Sequence, residues 1–190
     1  SIIMAAPFFK DQLWVIKQVA CSLPLLYKLY VKEHPAMSGY RPRRYYKELK
    51  KIPNVKLIKP TIESFELIKN AKMVVTISAT SGWEALLLAK PVITFGEVFY
   101  NQLSMVKRCR AIEELPYLIK EQSENFRCNE EELLNFISVI YRKSADANLV
   151  QLWNVEGGGK MDKKEKELAP LVDLIAHKLN LKSVAGYSNR

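Results

Sequence analysis

Three hydroxyl side chains and a glycine lie close together in the segment Ser78-Ala79-Thr80-Ser81-Gly82, between a predicted strand and a predicted helix. At such a junction backbone N–H groups, hydroxyls and the positive end of the helix dipole converge, which is typical of a phosphate-binding loop. The alternative is that Ser78, Thr80 and Ser81 only cap the helix. Glu84, about one turn into this helix, could accept hydrogen bonds from ribose hydroxyls or could simply favour the first turn.

A second candidate group, Lys32-Glu33-His34-Pro35, follows another predicted strand. The His34 imidazole could donate to a phosphate oxygen or stabilise a leaving phosphate, and Pro35 would fix the turn that presents it. The alternative is a histidine with a structural role. Basic side chains nearby that could reach a phosphate or an anionic acceptor, or could form a solvated helix face, are Arg41, Arg43 and Arg44.

Several familiar motifs are absent from the sequence. There is no GxGxxG, which disfavours a dinucleotide cofactor, and Gly159-Lys160 lacks the earlier Gly and the following Ser/Thr of a P-loop. Ser81 is not in a nucleophile elbow, because Ala79 and Trp83 stand where its glycines belong. No Asp-x-Asp pair occurs, so a nucleotide-sugar site would neutralise phosphate with helix termini and cationic side chains, without a metal.

Composition limits the class of protein. A chain of 190 residues that is 48% apolar and 26% charged predicts one globular domain. Its net charge of +9 makes polyanions plausible partners. The cysteines are odd in number and far apart, which disfavours a disulfide framework or a zinc site and fits a reducing cytoplasm; they are Cys21, Cys109 and Cys128.

The N-terminal part of the sequence contains short apolar runs that alternate with amphipathic stretches. The runs predict strands at 2–6, 27–32, 55–58, 73–77 and 91–95, and the stretches predict helices at 11–23, 43–50, 61–71 and 83–89. This order predicts an α/β fold, a Rossmann-like doubly wound parallel sheet, with ligands at the carboxyl ends of the strands. A further strand at 108–112, helices at 113–121 and 129–141, and tail helices within 163–181 are expected after it.

Membrane crossing is not expected, because no uncharged stretch reaches the roughly 18 residues that a span needs. Residues 1–9 are apolar but lack a basic region and a cleavage signal, so they predict a strand and not a secretion signal. The absence of an initiator Met suggests a fragment of a longer protein.

Five blocks occur in order along the chain: YVKEHP at 30–35, IPNVKLI at 52–58, TISATSGWEAL at 76–86, KPVITFG at 90–96 and FY at 99–100. This set resembles the C-terminal half of capsule polysaccharide biosynthesis proteins, a family that includes Kdo transferases with the GT-B fold. The resemblance covers residues 1–118. It implies the C-terminal domain of a GT-B fold, with residues 1–155 binding a nucleotide-sugar and residues 156–190 forming a linker and a C-terminal helix.

The resemblance implies that His34-Pro35 and the Ser/Thr loop, with its flanking Lys32, Glu33, Gly82 and Glu84, hold the donor phosphate and nucleotide. It also implies a CMP-linked sugar such as Kdo, metal-independent transfer with either stereochemical outcome, and a role in surface glycan assembly. The family more often has Gly where Ala79 stands, so Ala79 would tighten the loop. The glycan or glycolipid acceptor would bind a missing N-terminal domain, so we expect nucleotide binding without turnover from this chain alone.

Two alternatives differ in their predicted partners. A relative of UDP-sugar 2-epimerases would prefer UDP over CMP. A non-enzymatic basic scaffold would bind polyanions without nucleotide selectivity; the dispersed basic residues and the lack of an RNA-binding aromatic motif disfavour nucleic acid as the partner. The cluster at 41–51 could still hold a cytoplasmic enzyme against anionic lipid at the inner face of the membrane.

Overall fold

The computed structural model describes residues 2–34, 37, 39–147 and 161–180. The chain divides into two compact units, residues 1–132 and 133–190. Five strands are described in the first unit: β1 (Leu29–Lys32), β2 (Val55–Ile58), β3 (Val74–Thr76), β4 (Val92–Thr94) and β5 (Val106–Arg108). The helices are α1 (Ile2–Ala5), α2 (Gln12–Ser22), α3 (Arg43–Lys50), α4 (Ser64–Asn70), α5 (Ser81–Leu87), α6 (Leu115–Glu124), α7 (Glu130–Lys143) and α8 (Met161–Lys178).

All described strand pairs are parallel, which confirms the expected α/β fold. β1 pairs with β2, and β3, β4 and β5 form a second ladder in that order. In the second ladder Thr76, Thr94 and Arg108 lie in register at the carboxyl ends. The expected single sheet is therefore present as two parallel ladders.

The amino ends of the two ladders lie together. The Lys72 ammonium lies 4.9 Å from the centre of the Tyr27 ring and donates to the Tyr27 hydroxyl. Tyr27 precedes β1 and Lys72 precedes β3, so the amino ends of β1 and β3 are neighbours. The carboxyl sides of β1 and β4 are both linked to the first residues of the chain, since Arg41 donates to both Glu33 and Gln12 and the Glu97 N–H donates to the Ala5 carbonyl.

The core of the first unit joins both ladders to the flanking helices. Phe9 packs on Phe95 with ring centres 4.9 Å apart. Ile93 from β4 and Ile119 from α6 are almost completely buried in the same cluster. The partly buried Leu29 of β1 packs against it as well. This packing explains why the first strands and helices of the sequence fold as one unit around β3 and β4.

The expected strand at 2–6 is wrong: Ile2–Ala5 is the helix α1. A short apolar run does not distinguish a strand from a buried helix, and Met and Ala favour helices. At the end of α1, the Ala5 carbonyl accepts a hydrogen bond from the Glu97 N–H at 2.7 Å. The start of the chain thus lies at the carboxyl side of β4, without joining the ladder.

The expected strand at 108–112 is also displaced. β5 ends at Arg108, and Ile112–Glu114 is a 3-10 helix. The Glu114 carboxylate accepts hydrogen bonds from the backbone N–H groups of Arg110 and Ala111, at 3.2 and 3.5 Å, which turns the chain away from β5. The following helix consequently begins at Leu115.

The remaining predicted elements are present, and the start of one helix differs in a way that bears on function. α5 begins at Ser81, two residues before its expected start, so Ser81 and Gly82 belong to the helix. α8 is the expected tail helix, while the expected linker at 156–160 lies outside the described residues. In the part of the chain that the structure describes, no helix is both long and apolar enough to span a bilayer.

Candidate functional site

The loop that joins β3 to α5 presents its hydroxyl side chains without using them to cap the helix. Thr80 is the N-cap residue, with φ −65° and ψ −18°, and its side chain makes no capping hydrogen bond. Thr80 is exposed, and Ser78 and Ser81 are partly buried. Within the described residues no hydrogen bond engages these three hydroxyls. The capping alternative therefore does not describe this loop, and its hydroxyls remain able to donate to a ligand.

Two hydrogen bonds with buried side chains fix the backbone of the same loop. The Tyr100 hydroxyl donates to the Ala79 carbonyl at 2.6 Å, and the Ala79 N–H donates to the Thr76 hydroxyl at 3.1 Å. Tyr100 is only 1% exposed. Burial raises the pKa of the Tyr100 phenol to about 12, so this donor keeps its proton at neutral pH. The loop conformation is thus set by buried groups on both sides of Ala79.

Gly82 leaves the space that Tyr100 occupies. A Cβ at Gly82 would lie 2.4 Å from the Tyr100 hydroxyl oxygen and 2.9 Å from its Cζ. It would also lie 3.1 Å from the Thr76 methyl carbon. The glycine is required here by close packing, and not by an unusual backbone angle.

The end of β4 is joined to the chain just before the loop. The Gly96 N–H donates to the Ile77 carbonyl at 2.7 Å. Asn101 donates to the Gly96 carbonyl at 2.9 Å and accepts from the Thr94 hydroxyl at 2.8 Å. These bonds fix the carboxyl ends of β3 and β4 relative to each other. The sequence alone does not indicate Tyr100 as a support of the loop, because its partner Ala79 is distant in the sequence, and it gives no local signal for Asn101.

At the carboxyl end of β1, Glu33 is engaged by the protein itself. Its carboxylate accepts from the Arg41 Nε at 2.6 Å and from the Tyr46 hydroxyl at 2.8 Å. The Glu33 side chain is only 9% exposed. Arg41 also donates to the Gln12 side chain and lies 4.5 Å from the centre of the Tyr45 ring. Arg41, a candidate phosphate ligand in the sequence, here neutralises the Glu33 carboxylate.

The hydrogen bond to Glu33 raises the pKa of the Tyr46 phenol, because losing its proton would place a second negative charge beside the carboxylate. Burial likewise raises the pKa of Tyr45. Both phenols therefore stay neutral near pH 7. The carboxyl end of β1 therefore carries a cluster of side chains that contact one another: Glu33, Arg41, Tyr45 and Tyr46.

The other predicted residues of this region have different surroundings. Lys32 is the last residue of β1 and is partly buried, and His34 is exposed in the loop that follows. The His34 carbonyl accepts from the Met37 N–H at 2.8 Å. Pro35 lies outside the described residues. Arg43 and Arg44 are exposed in the first turn of α3.

A cavity of about 270 Å³ opens at the carboxyl ends of β1 and β2. This volume lies just below the range of roughly 300–1,000 Å³ for ligand pockets. Its lining is largely apolar, with one carboxylate and one phenol, and comprises Glu33, Gly39, Tyr46, Leu57, Ile58 and Pro60.

The structure thus brings the two predicted groups to the same side of the fold, but each has its own supporting partners. Glu33 is held by Arg41 and Tyr46, and the Ser78 loop is held by Tyr100 and Thr76. Glu84 is partly buried in the first turn of α5, the helix that follows the loop. Across the described ranges, no group of three or more His, Cys, Asp or Glu side chains could hold a metal ion.

Known proteins resemble this chain over parts of its length. Protein FixF of Sinorhizobium fredii (strain NBRC 101917 / NGR234) is 45% identical over 82 residues, which are 41% of this chain and 18% of FixF. The solved beta Kdo 2,7 transferase of Thermosulfurimonas dismutans KpsC is 23% identical, with a TM-score of 0.47, over 75% of this chain and 50% of that one. The beta Kdo 2,4 transferase of the same KpsC is 27% identical, with a TM-score of 0.37, over 50% of this chain and 32% of that one.

This chain therefore spans half or less of the length of each of these three proteins. A sequence model of the family described as capsule polysaccharide biosynthesis protein matches residues 9–158. That range includes β1 to β5 and both predicted groups. Because the match extends over more than half of the sequence, the chain belongs to the capsule polysaccharide biosynthesis protein family.

Proposed function

We propose that this chain is the donor-binding part of a metal-independent glycosyltransferase that acts in capsule or surface polysaccharide synthesis. Membership of the capsule family supports the pathway, and the loop after β3 supports the ligand. The observation that carries the proposal is a loop with a fixed backbone and three hydroxyls that bond to nothing within the described residues. Such donors suit a phosphate, whose oxygens accept several hydrogen bonds at once.

In this proposal the nucleotide lies along the carboxyl side of the strands. Ser78, Thr80 and Ser81 donate to the phosphate, and Glu84 accepts from the ribose hydroxyls. The cavity beside Tyr46 receives the base, since its apolar lining suits the faces of a planar ring. We favour a CMP-linked sugar such as CMP-Kdo, because two similar structures are named as Kdo transferases.

The transfer step follows from these roles. An acceptor hydroxyl attacks the anomeric carbon of the donor, and the bond from that carbon to the phosphate oxygen breaks. The departing phosphate gains negative charge, which the loop hydroxyls and His34 stabilise by donating hydrogen bonds. In this proposal a further part of a longer protein supplies the group that takes the acceptor's proton and the site for the glycan acceptor, because the chain spans half or less of the proteins it resembles. Nucleotide binding without turnover is expected from this chain alone.

The cysteines bear on the cellular compartment in which the protein acts. Among the described residues the cysteines are free thiols: Cys21 is exposed, Cys128 is intermediate and Cys109 is buried. Free thiols fit a reducing compartment, so we place the activity in the cytoplasm.

The test is a calorimetric titration of the purified chain with CMP, UDP, GDP and ADP. We expect selective CMP binding, weakened roughly tenfold or more in Ser81→Ala and in His34→Ala, since a hydrogen bond to a charged group contributes about 1.5–3 kcal/mol. Ser123→Ala is the matched control, because its hydroxyl donates to the Lys120 carbonyl on α6, away from the loop after β3. Selective UDP binding would favour the UDP-sugar epimerase or transferase class. Equal affinity for all four nucleotides, or none, would refute a donor site.

A further inference from the structure

Two adjacent leucines are almost fully exposed in the turn between α2 and β1. Leu25 is 94% exposed and Leu26 is 92% exposed. The turn itself is ordered, since the Tyr27 N–H donates to the Pro24 carbonyl at 2.9 Å. A single exposed leucine is ordinary, but a closed turn that projects two in succession marks an interaction surface.

The leucine turn lies at the amino ends of the strands, opposite to the candidate site. The Leu29 N–H bonds to the Asn54 carbonyl at 2.8 Å, which joins the start of β1 to the start of β2. Tyr27 contacts Lys72, which joins the start of β1 to the start of β3. These contacts place the leucine turn at the same edge of the fold as the segment between α3 and β2 and the residues just before β3.

Four exposed lysines lie on the segments that meet at this edge. Lys28 follows the turn, Lys50 and Lys51 end α3, and Lys72 precedes β3; all four are exposed. Glu48 is the carboxylate placed beside them, and it pairs with Lys51 at 2.7 Å. We name this surface the amino-edge surface; it consists of Leu25, Leu26, Lys28, Lys50, Lys51 and Lys72.

We propose that the amino-edge surface docks on an anionic lipid bilayer. The two leucines enter the headgroup region, and the lysines lie against lipid phosphates, as in peripheral proteins that combine apolar insertion with basic charge. A protein partner fits this surface less well, because the cores of protein interfaces are depleted in lysine and larger in apolar area.

This surface differs from the cluster at 41–51 that the sequence suggested for lipid contact. Arg41 forms an ion pair with Glu33 at the carboxyl side of the strands. Arg43 and Arg44 belong to the first turn of α3, whereas Lys50 and the leucine turn belong to the opposite end. Lipid contact therefore involves only the last turn of α3.

The test is cosedimentation of the full chain with vesicles of phosphatidylcholine, alone or mixed with phosphatidylglycerol. We expect binding to the mixed vesicles only. Leu25→Ser/Leu26→Ser should lower the partition coefficient by about tenfold or more, since burying a leucine fully contributes about 1.5–3 kcal/mol. Lys50→Gln/Lys72→Gln should lower it by about fivefold for each lysine, as each contributes about 1 kcal/mol near an anionic surface.

Matched variants outside the amino-edge surface are the controls. Arg43→Gln/Arg44→Gln removes the same charge from exposed positions, and Tyr117→Ser removes an aromatic residue that is 76% exposed on α6. Tyr117→Ser should leave the partition coefficient within about twofold of the wild type. Arg43→Gln/Arg44→Gln should lower it less than the lysine variant does, because these arginines lie about 10 Å farther along α3, roughly one Debye length away. Circular dichroism checks that each variant is folded.

Three outcomes would overturn the proposal: equal binding to neutral and anionic vesicles, an undiminished partition coefficient in the leucine variant, or an equal loss in the Arg43/Arg44 control. Self-association by light scattering that disappears in the leucine variant, without vesicle binding, would assign the turn to a protein interface instead. Nucleotide titration of the same variants separates this proposal from the donor site, since CMP affinity should be unchanged by any amino-edge substitution.

Discussion

Gly82→Ala is the substitution that most directly tests how the loop after β3 is built. The new methyl group would lie 2.4 Å from the Tyr100 hydroxyl oxygen and 2.9 Å from its Cζ, and neither distance is tolerable for carbon. Tyr100 cannot turn toward solvent because it is 1% exposed. The ring must shift, and its hydrogen bond to the Ala79 carbonyl must lengthen or break.

The expected cost combines three effects. Overpacking a buried site costs about 1–3 kcal/mol, and loss of the Tyr100 hydrogen bond costs about 1 kcal/mol. Against these, replacing Gly by Ala inside a helix stabilises by about 1 kcal/mol. We therefore expect Gly82→Ala to lower the free energy of unfolding by about 1–3 kcal/mol, and to weaken CMP binding because Ala79 and Ser81 move with the loop.

The assay is urea unfolding followed by tryptophan fluorescence, since Trp83 lies 5.4 Å from Phe99 and 6.4 Å from Tyr100 between ring centres. Tyr100→Phe and the double variant complete a cycle. Removing the hydroxyl also removes the closest clash, so Gly82→Ala should cost less in the Tyr100→Phe background, with a coupling energy of about 0.5–3 kcal/mol. A Gly82→Ala chain as stable as the wild type, or additive effects in the double variant, would falsify the packing argument.

Three further predictions concern titration and charge. Burial raises the pKa of Tyr100 to about 12, above its unfolded value of about 10. The neutral phenol's contribution to the free energy of unfolding is therefore complete below pH about 10 and is lost as the pH rises through about 12. Urea unfolding of Tyr100→Phe should show a smaller loss of stability at alkaline pH than the wild type. Burial also raises the pKa of the Cys109 thiol to about 11. A thiol-reactive dye at neutral pH should therefore label the exposed Cys21 first and Cys109 only on unfolding. Equal labelling rates for the two cysteines would contradict the burial of Cys109. Arg41→Ala should lower the free energy of unfolding by about 1–3 kcal/mol by leaving the Glu33 carboxylate without its cation, whereas adding Glu33→Gln should recover part of that loss; no recovery would show that Arg41 stabilises through other contacts.

The elements that the sequence predicted best are bounded by strong local signals. α3 and β2 occupy the predicted residues 43–50 and 55–58, between a proline at 42, the Pro53-Asn54 turn and a proline at 60. α7 begins one residue after its predicted start, where the Asn129 side chain accepts from the Glu132 N–H at 3.1 Å. Turn and capping chemistry acts over a few residues, so it can be identified without the fold.

The features that the sequence did not predict depend on distant contacts. The position of α1 depends on the hydrogen bond from Glu97 to Ala5, which is far away in the sequence, and a local pattern does not contain it. The start of α5 is another case: glycine normally weakens a helix, yet Gly82 lies in its first turn because Tyr100 occupies the space of a Cβ. The junction between β3 and its helix lies in the predicted segment, but its support by Tyr100 followed only from the structure.

The two proposed ligands use opposite ends of the same strands, and this separation has a physical consequence. The strands are three to four residues long, which corresponds to about 10–13 Å between their ends at about 3.3 Å per residue. A chain docked on lipid through its amino-edge surface would therefore keep the Ser78 loop and the cavity beside Tyr46 beyond the lipid headgroups that the leucines enter. The carboxyl side would stay open to a nucleotide from solution. Because no residue contributes to both surfaces, neither ligand needs to leave before the other binds.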